Sequence, residues 1–306
     1  MFSLKGLHHI TAITSDSEAA VRFYTGVLGL RLVKKTVNFD DPTAYHLYFG
    51  DEDGKPGTLL SFFDWGASLG CGVVGAGVFQ HLAFSAKGEG SLDVWKPWLE
   101  RSAIRVFGPF DRGSFSSVYF RDPDGLILEI ATKANSKGYD DSLCPESSLF
   151  CRDLGPGANP SRFSTERMPS SLRLSGLHHV TAVSRDFASA RDFYTDALNL
   201  EVVQGTDERR TKQHFVGLDK AAPGTMISFL DMPGNGRGSV GVGTIHHVAF
   251  AVEDEKRQLE WRNRLLSKGA RVTEVLDRKY FKSIYFREPN GLLLEIATVS
   301  PGFTGR

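Results

Sequence analysis

Three phrases in this chain occur twice, and their repetition limits the folds open to it more than any other feature. Gly-Leu-His-His-Ile-Thr-Ala at 6–12 returns as Gly-Leu-His-His-Val-Thr-Ala at 176–182. Gln80-His81-Leu82-Ala83-Phe84 returns as His246-His247-Val248-Ala249-Phe250, and Gly125-Leu126-Ile127-Leu128-Glu129-Ile130-Ala131-Thr132 returns as Gly291-Leu292-Leu293-Leu294-Glu295-Ile296-Ala297-Thr298. The offset is 170 for the first pair (179 − 9) and 166 for the other two (247 − 81 and 295 − 129). Eight of the nine histidines fall in matching pairs across the two halves, His46 and His214 only loosely, and the ninth, His246, stands opposite Gln80. The fold must therefore contain one architecture twice.

Each half divides again into two units of one pattern: a short strand bearing His, a helix, then three strands. In the first unit a strand is expected at Leu7–Ile13. Ser15-Asp16-Ser17-Glu18 reads as a capping box for a helix that Gly29 stops. Alternating segments follow around 30–37, 45–50 and 58–65. The second unit runs from Val78, with a helix over about 92–102 and strands near 104–109, 116–121 and 126–132. The third begins at Leu177 and the fourth at Thr244, whose helix at Leu259–Lys268 ends at Gly269. Residues 133–174, rich in Pro, Gly, Ser and Asn, read as a linker with a short helical turn between halves 1–132 and 175–306. The expected class is α+β: four βαβββ modules pairing into two curved-sheet barrels, because a lone module leaves a sheet edge and an apolar face uncovered.

The repeated residue types suit metal coordination. Neighbours on a strand face opposite ways, so only one His of each doublet can point inward. The second is chosen, since His81 follows Gln80 rather than another His. Glu129 and Glu295 sit in wholly apolar frames, where a carboxylate is costly unless paired or coordinated. The alternative for each is a salt bridge to an inward Arg. Two imidazoles and one carboxylate leave one face of a six-coordinate ion open, as in non-haem Fe(II) oxygenases, although His₂Glu also holds catalytic Zn²⁺. Arg112 and Arg278 stand 17 residues before the Glu of their set, and Tyr119 and Tyr285 ten before it. Such groups can hold a substrate oxyanion or orient a metal-bound ligand.

These residues resemble the vicinal oxygen chelate superfamily, built from paired βαβββ modules. Within it the chain is similar to ring-cleaving dioxygenases of the dichlorohydroquinone dioxygenase type, most specifically over 26–42 and 277–289. The resemblance implies a site drawing one ligand from the first module and two from the fourth: His9, His247 and Glu295, with His8, Thr11, His246, Arg278 and Tyr285 around it. It implies Fe(II), with Mn(II) an alternative and Zn(II) less favoured, and an extradiol-type reaction. Both atoms of O₂ would enter a ring with para hydroxyls, which opens between a hydroxylated carbon and its neighbour. Against the family's pattern, a second set looks complete: His81, His179 and Glu129, with Arg112 and Tyr119. From the residues alone, modules could pair one with four and two with three, or one with two and three with four; the resemblance favours the former. Gln80 in place of a His marks the second set as the weaker or altered one.

Two other functions of this superfamily are weighed. A glyoxalase-like isomerase adds a second carboxylate ligand, but the corresponding positions hold Ser61 and Ser228. A metal-free ligand-binding resistance protein has no need of repeated His, His and Glu. Lys plus Arg and Asp plus Glu balance at 36 each, which disfavours nucleic acid and anionic membranes. Residues Met1–Lys5 leave no room for a signal peptide, and no apolar run spans a membrane. Three scattered cysteines, Cys71, Cys144 and Cys151, fit a reducing cytoplasm. The expected partners are a small aromatic substrate and O₂, with homo-oligomerisation left open.

Overall fold

The computed structural model describes residues 3–88, 91–134, 157–164, 166–208, 211–219, 222–232 and 234–303, excluding the side chains of 204–208, 211 and 212. Cys144, Cys151 and most of the 133–174 segment lie outside them; within that segment Pro160–Arg162 makes a short 3₁₀ turn.

The first module contains β1 (Leu7–Thr14), α1 (Ser17–Val21, widening into a π-turn at Arg22–Val27), β2 (Arg31–Val37), β3 (Tyr45–Gly50) and β4 (Leu59–Asp64). The second contains β5 (Phe79–Ala86), α2 (Leu92–Arg101), β6 (Phe107–Asp111), β7 (Phe115–Arg121) and β8 (Ile127–Lys133). The third contains β9 (Leu174–Ser184), α3 (Phe187–Asp192, with a π-turn at Phe193–Ala197), β10 (Glu201–Glu208), β11 (Thr211–Gly217) and β12 (Met226–Asp231). The fourth contains β13 (Ile245–Val252), α4 (Glu255–Ser267), β14 (Leu276–Asp277), β15 (Lys282–Arg287) and β16 (Leu293–Thr298).

Two helix starts differ from the sequence reading. Asp16, not Ser15, caps α1, accepting from the amides of Glu18 and Ala19. A carboxylate takes both amide hydrogens at once, whereas the Ser15 hydroxyl is turned to Asp124. Helix α4 begins four residues early because Asp254 supplies its cap.

The modules exchange partners between halves. Strand β1 runs antiparallel to β13, and β5 antiparallel to β9. Modules one and four thus form one curled run of eight strands, β2-β3-β4-β1-β13-β16-β15-β14, while three and two form β10-β11-β12-β9-β5-β8-β7-β6. A short pairing of Ile245 with Phe79 joins them into one sixteen-stranded sheet. The helices cover the outer faces, where Trp95, Trp98 and Trp261 are buried against the sheet. No helix among the described residues is long and apolar enough to cross a membrane.

The two runs are tied by reciprocal backbone bonds next to the His doublets. Leu7 N–H donates to the Gly224 carbonyl and Leu177 N–H to that of Gly57, each at 2.7 Å. Gly57 N–H in turn donates to the His8 carbonyl, and Gly224 N–H to that of His178. The glycine opening each phrase permits this approach. Gly6 has φ +94° and Gly176 φ +132°, and a Cβ on them would stand 2.6 Å and 2.7 Å from the Gly224 and Gly57 carbonyl oxygens. These positions need glycine for both backbone shape and space.

Each final hairpin is braced by a buried carboxyl, Asp122 Oδ1 on Leu126 N–H and Glu288 Oε1 on Leu292 N–H. Burial pushes Asp122 up to about 7, helped by the Asp124 charge, and burial likewise pushes Glu288 up to about 7. The folded chain thus keeps protons that the unfolded chain releases above about pH 4, so stability falls between pH 4 and 7. Asp122→Asn should flatten that fall in melting temperature measured across the window; an unchanged slope refutes the assignment. Gly6→Ala should cost roughly 2 kcal/mol or more in denaturant unfolding, and wild-type stability would contradict the packing described.

Candidate metal centre

The pairing of β1 with β13 and of β13 with β16 places three strands side by side, so that inward residues at neighbouring registers converge. His9 lies opposite Ala249, and Ala249 beside Glu295. His9 Nε2 lies 3.3 Å and His247 Nε2 3.0 Å from Glu295 Oε2. All three side chains are at most 3% exposed. Two ligands at right angles, each about 2.1 Å from an ion, would stand about 3 Å apart, so these spacings match three adjacent corners of a coordination polyhedron. Glu295 Oε2 is buried yet makes no hydrogen bond of acceptable geometry, even with both imidazoles beside it. One ligand atom from each of the three residues lies within 4.8 Å of the other two. That orphaned oxygen and the N₂O donor set fit a divalent cation.

The first His of each doublet orients the second. His8 Nδ1 lies 2.9 Å from His9 Nδ1, and His246 Nδ1 2.8 Å from His247 Nδ1. Burial, then the charge of the neighbouring ligand, holds His8 and His246 down to about 3, so both outer rings are neutral. A neutral outer ring accepting the inner ring's Nδ1–H leaves the inner Nε2 lone pair free for an ion. Burial would raise Glu295, but the adjacent His9 and His247 hold it well below the usual carboxylate range. It is therefore ionised, as a ligand must be. Its other oxygen accepts from Ser283 Oγ.

Beside this point lies a small, partly open pocket lined by Phe39, Phe63, Phe281, His46, Tyr48, Asp40, Arg278 and Tyr285 among others. Arg278 lines it but is already held, donating two bonds to Asp40 at 2.9 and 2.8 Å and lying over the Tyr285 ring. Burial, then the Glu295 charge, pushes the Tyr285 phenol well above its ordinary value, so it stays a hydrogen-bond donor. Thr11 bonds Ser61 Oγ at 2.8 Å, and Ser61 bonds His46 Nε2 at 3.0 Å. Serine thus occupies the position where a fourth, carboxylate ligand was weighed. A larger open groove over 29–31 and 167–176 lies elsewhere and contains none of these residues.

The second set also assembles. Glu129 Oε2 lies 3.0 Å from His81 Nε2 and 3.2 Å from His179 Nε2, all three residues at most 1% exposed. Arg112 donates to the Tyr119 hydroxyl at 2.9 Å. Gln80 does the work of a first histidine, its Oε1 lying 2.9 Å from His81 Nδ1. The substitution therefore does not disarm this His: an amide oxygen accepts the Nδ1–H as an imidazole would.

One sequence correspondence fails. Tyr48 pairs with Ser61 and Phe215 with Ser228, so the counterpart of His46 is Gln213, not His214. A slip of one residue turns a strand side chain to the other face. His46 enters the first site, with Nδ1 2.9 Å from the Tyr48 hydroxyl, whereas His214 stacks on Phe187 at 3.9 Å. Tyr48, Ser61, Ser283 and the aromatic walls were not singled out as site residues of the first centre. The period-two spacing of His46 and Tyr48 before the turn at 51–54 was the available signal.

The family model for the Glyoxalase/Bleomycin resistance protein/Dioxygenase superfamily matches residues 6–130 and 176–296. The chain belongs to this superfamily. It is 36% identical over 298 residues to Bacillus subtilis MhqO, whose full name is Putative ring-cleaving dioxygenase MhqO, covering 97% of this chain and 86% of that protein. It is 32% identical over 306 residues to the chlorohydroquinone/hydroquinone 1,2-dioxygenase of Sphingobium indicum, covering 98% and 87%. A solved Bacillus subtilis structure assigned as a dioxygenase superposes with TM-score 0.81 at 34% identity, covering 100% of this chain and 88% of that one. Maize glyoxalase I shares the fold, with TM-score 0.67 at 15% identity over 96% and 92%.

If His8 orients His9, His8→Phe should weaken metal retention about 10–100-fold, with melting temperature of the metal-free protein nearly unchanged. Equal retention, measured by chelator competition, would exclude the role.

Proposed function

We propose that this protein is a non-haem Fe(II)-dependent ring-cleaving dioxygenase acting on a hydroquinone or a related phenol. The observation that carries the reading is the convergence of His9, His247 and Glu295 at an aromatic-walled pocket that also contains Arg278 and Tyr285. The similarity to a hydroquinone 1,2-dioxygenase across nearly the whole chain supports the substrate class. In a para-dihydroxy ring, the 1,2 bond in that relative's name joins a hydroxylated carbon to an unhydroxylated neighbour, and extradiol-type opening at this bond is the reaction inferred.

His9, His247 and Glu295 would hold the ion on one face and leave the other toward the pocket. A bound Fe(II) would supply the one-electron chemistry that lets O₂ react with an electron-rich ring. Mn(II) has a similar preference for this donor set, and Zn(II) lacks the redox step. His8 and His246 keep the two ligand imidazoles in the tautomer that presents Nε2. The Arg278 guanidinium places positive charge where a phenolate oxygen would develop. The Tyr285 hydroxyl, kept protonated, donates a hydrogen bond to the substrate or to oxygen. Thr11, tied to Ser61, fixes the polar wall beside His9. Phe39, Phe63 and Phe281 exclude water and offer faces for an aromatic ring. The second centre presents Phe215 and Gln213 where this one presents Tyr48 and His46, so the first centre is assigned the reaction.

Anaerobically Fe(II)-loaded protein should consume one O₂ per hydroquinone, followed by oxygen electrode and product mass, with both oxygen atoms retained in a ring-opened acid. Glu295→Ala should abolish turnover. Full activity in Glu295→Ala with loss in Glu129→Ala would assign the reaction to the other centre. Mn(II)-loaded protein that turns over while Fe(II)-loaded protein does not would overturn the choice of metal.

A further inference from the structure

We propose that His81, His179 and Glu129 form a second metal centre, so that each chain binds two divalent cations. This goes beyond the reaction assigned to the first centre, and it rests on the second set's own geometry.

The three donors come from β5, β9 and β8, as those of the first centre come from β13, β1 and β16. The separations from the carboxylate oxygen, 3.0 and 3.2 Å, match those of the first centre, 3.0 and 3.3 Å. The outer groups are also present: His178 Nδ1 lies 2.8 Å from His179 Nδ1, and Gln80 takes the corresponding position on His81. With its Nδ1 against His178, His179 presents Nε2 to Glu129 Oε2 at 3.2 Å.

A purely structural carboxylate–imidazole pair would satisfy its polar atoms. Here that is only partly so: Glu129 Oε2 lies 3.0 Å from His81 Nε2 in hydrogen-bonding geometry, but the polar atoms around the pair are left over. Glu129 Oε1, Ser117 Oγ, Thr181 Oγ1 and Gln80 Nε2 are all buried without a hydrogen-bond partner. All four lie on the ligand-bearing strands or on β7, which pairs with β8. Their counterparts Ser283 and Thr11 in the first centre are bonded, to Glu295 and Ser61. Buried polar atoms are rarely left unpaired, and their occurrence together on the strands that carry or flank the three donors points to an ion with attendant water at this place. Two neutral imidazoles and a carboxylate carry one negative charge in a site closed from solvent, which a divalent cation would reverse. The N₂O set suits Fe(II), Mn(II), Co(II) or Zn(II) and not Ca(II), which prefers oxygen donors.

The test is a metal count on the full chain. Stripped protein is loaded with Co(II) under anaerobic conditions, desalted and measured by elemental analysis, with calorimetric titration alongside. Two equivalents are expected in wild type, one in Glu129→Gln, one in Glu295→Gln and none in the double variant. His179→Gln, expected to bind one, guards against a Glu129 variant that fails to fold. One equivalent in wild type that disappears in Glu295→Gln overturns the second centre and leaves the first intact. One equivalent that disappears in Glu129→Gln supports the second centre and overturns the first. No bound Co(II) in wild type overturns both.

Discussion

A carboxylate buried in an apolar sheet is the constraint on which the molecule turns. Glu295 is fully buried, yet the neighbouring imidazoles hold it ionised. Those imidazoles arrive from strands at opposite ends of the chain, His9 on β1 and His247 on β13. The charge is therefore tolerated only when modules one and four are paired. Leaving a buried charge without its partners costs several kcal/mol, so the module exchange and the integrity of the site rise or fall together. The backbone bonds from Leu7 to Gly224 and from Leu177 to Gly57 set the exchange in the segments that carry the His doublets.

Duplication supplied two copies of this constraint, and the copies have diverged on one wall. Both retain two imidazoles, a glutamate, an Arg and a Tyr. The first adds a hydrogen-bonded run, Tyr48–His46–Ser61–Thr11, of which Tyr48 and His46 line its pocket. The second places Phe215 against His179 and leaves Thr181 without a partner. Polar groups on the wall of a small aromatic pocket distinguish a phenol from a hydrocarbon, because an unpaired buried donor is costly. The difference between the walls, more than the ligands, separates the proposed roles of the two centres.

Much of the site was legible because its residues sit in phrases that occur twice. The choice of the second His in each doublet rested on Gln80; His9 and His247 lie against Glu295, and His81 and His179 against Glu129. Gln80 itself was read as a mark of weakness, yet its side chain reproduces the orienting bond. Hydrogen-bond capacity depends on where an acceptor atom lies, and residue names conceal that. The pairing of His46 with His214 failed for a related reason: β3 and β11 are related by an offset of 167 (217 − 50), one less than a match of the histidines requires. Helix α1 was placed correctly but capped by its neighbour, a distinction that depends on the contact between Ser15 and Asp124.

From its sequence alone, the chain's module order, its α+β class and its donor types were determined, since strand alternation, helix stops and repeated chemistry are local properties. Which modules embrace was a tertiary decision. Both pairings satisfy the same local pattern, and only the long-range registers β1–β13 and β5–β9 select between them. The three-dimensional arrangement also decided which wall is polar, because a single-residue shift along a strand exchanges a pocket-lining side chain for one that faces away.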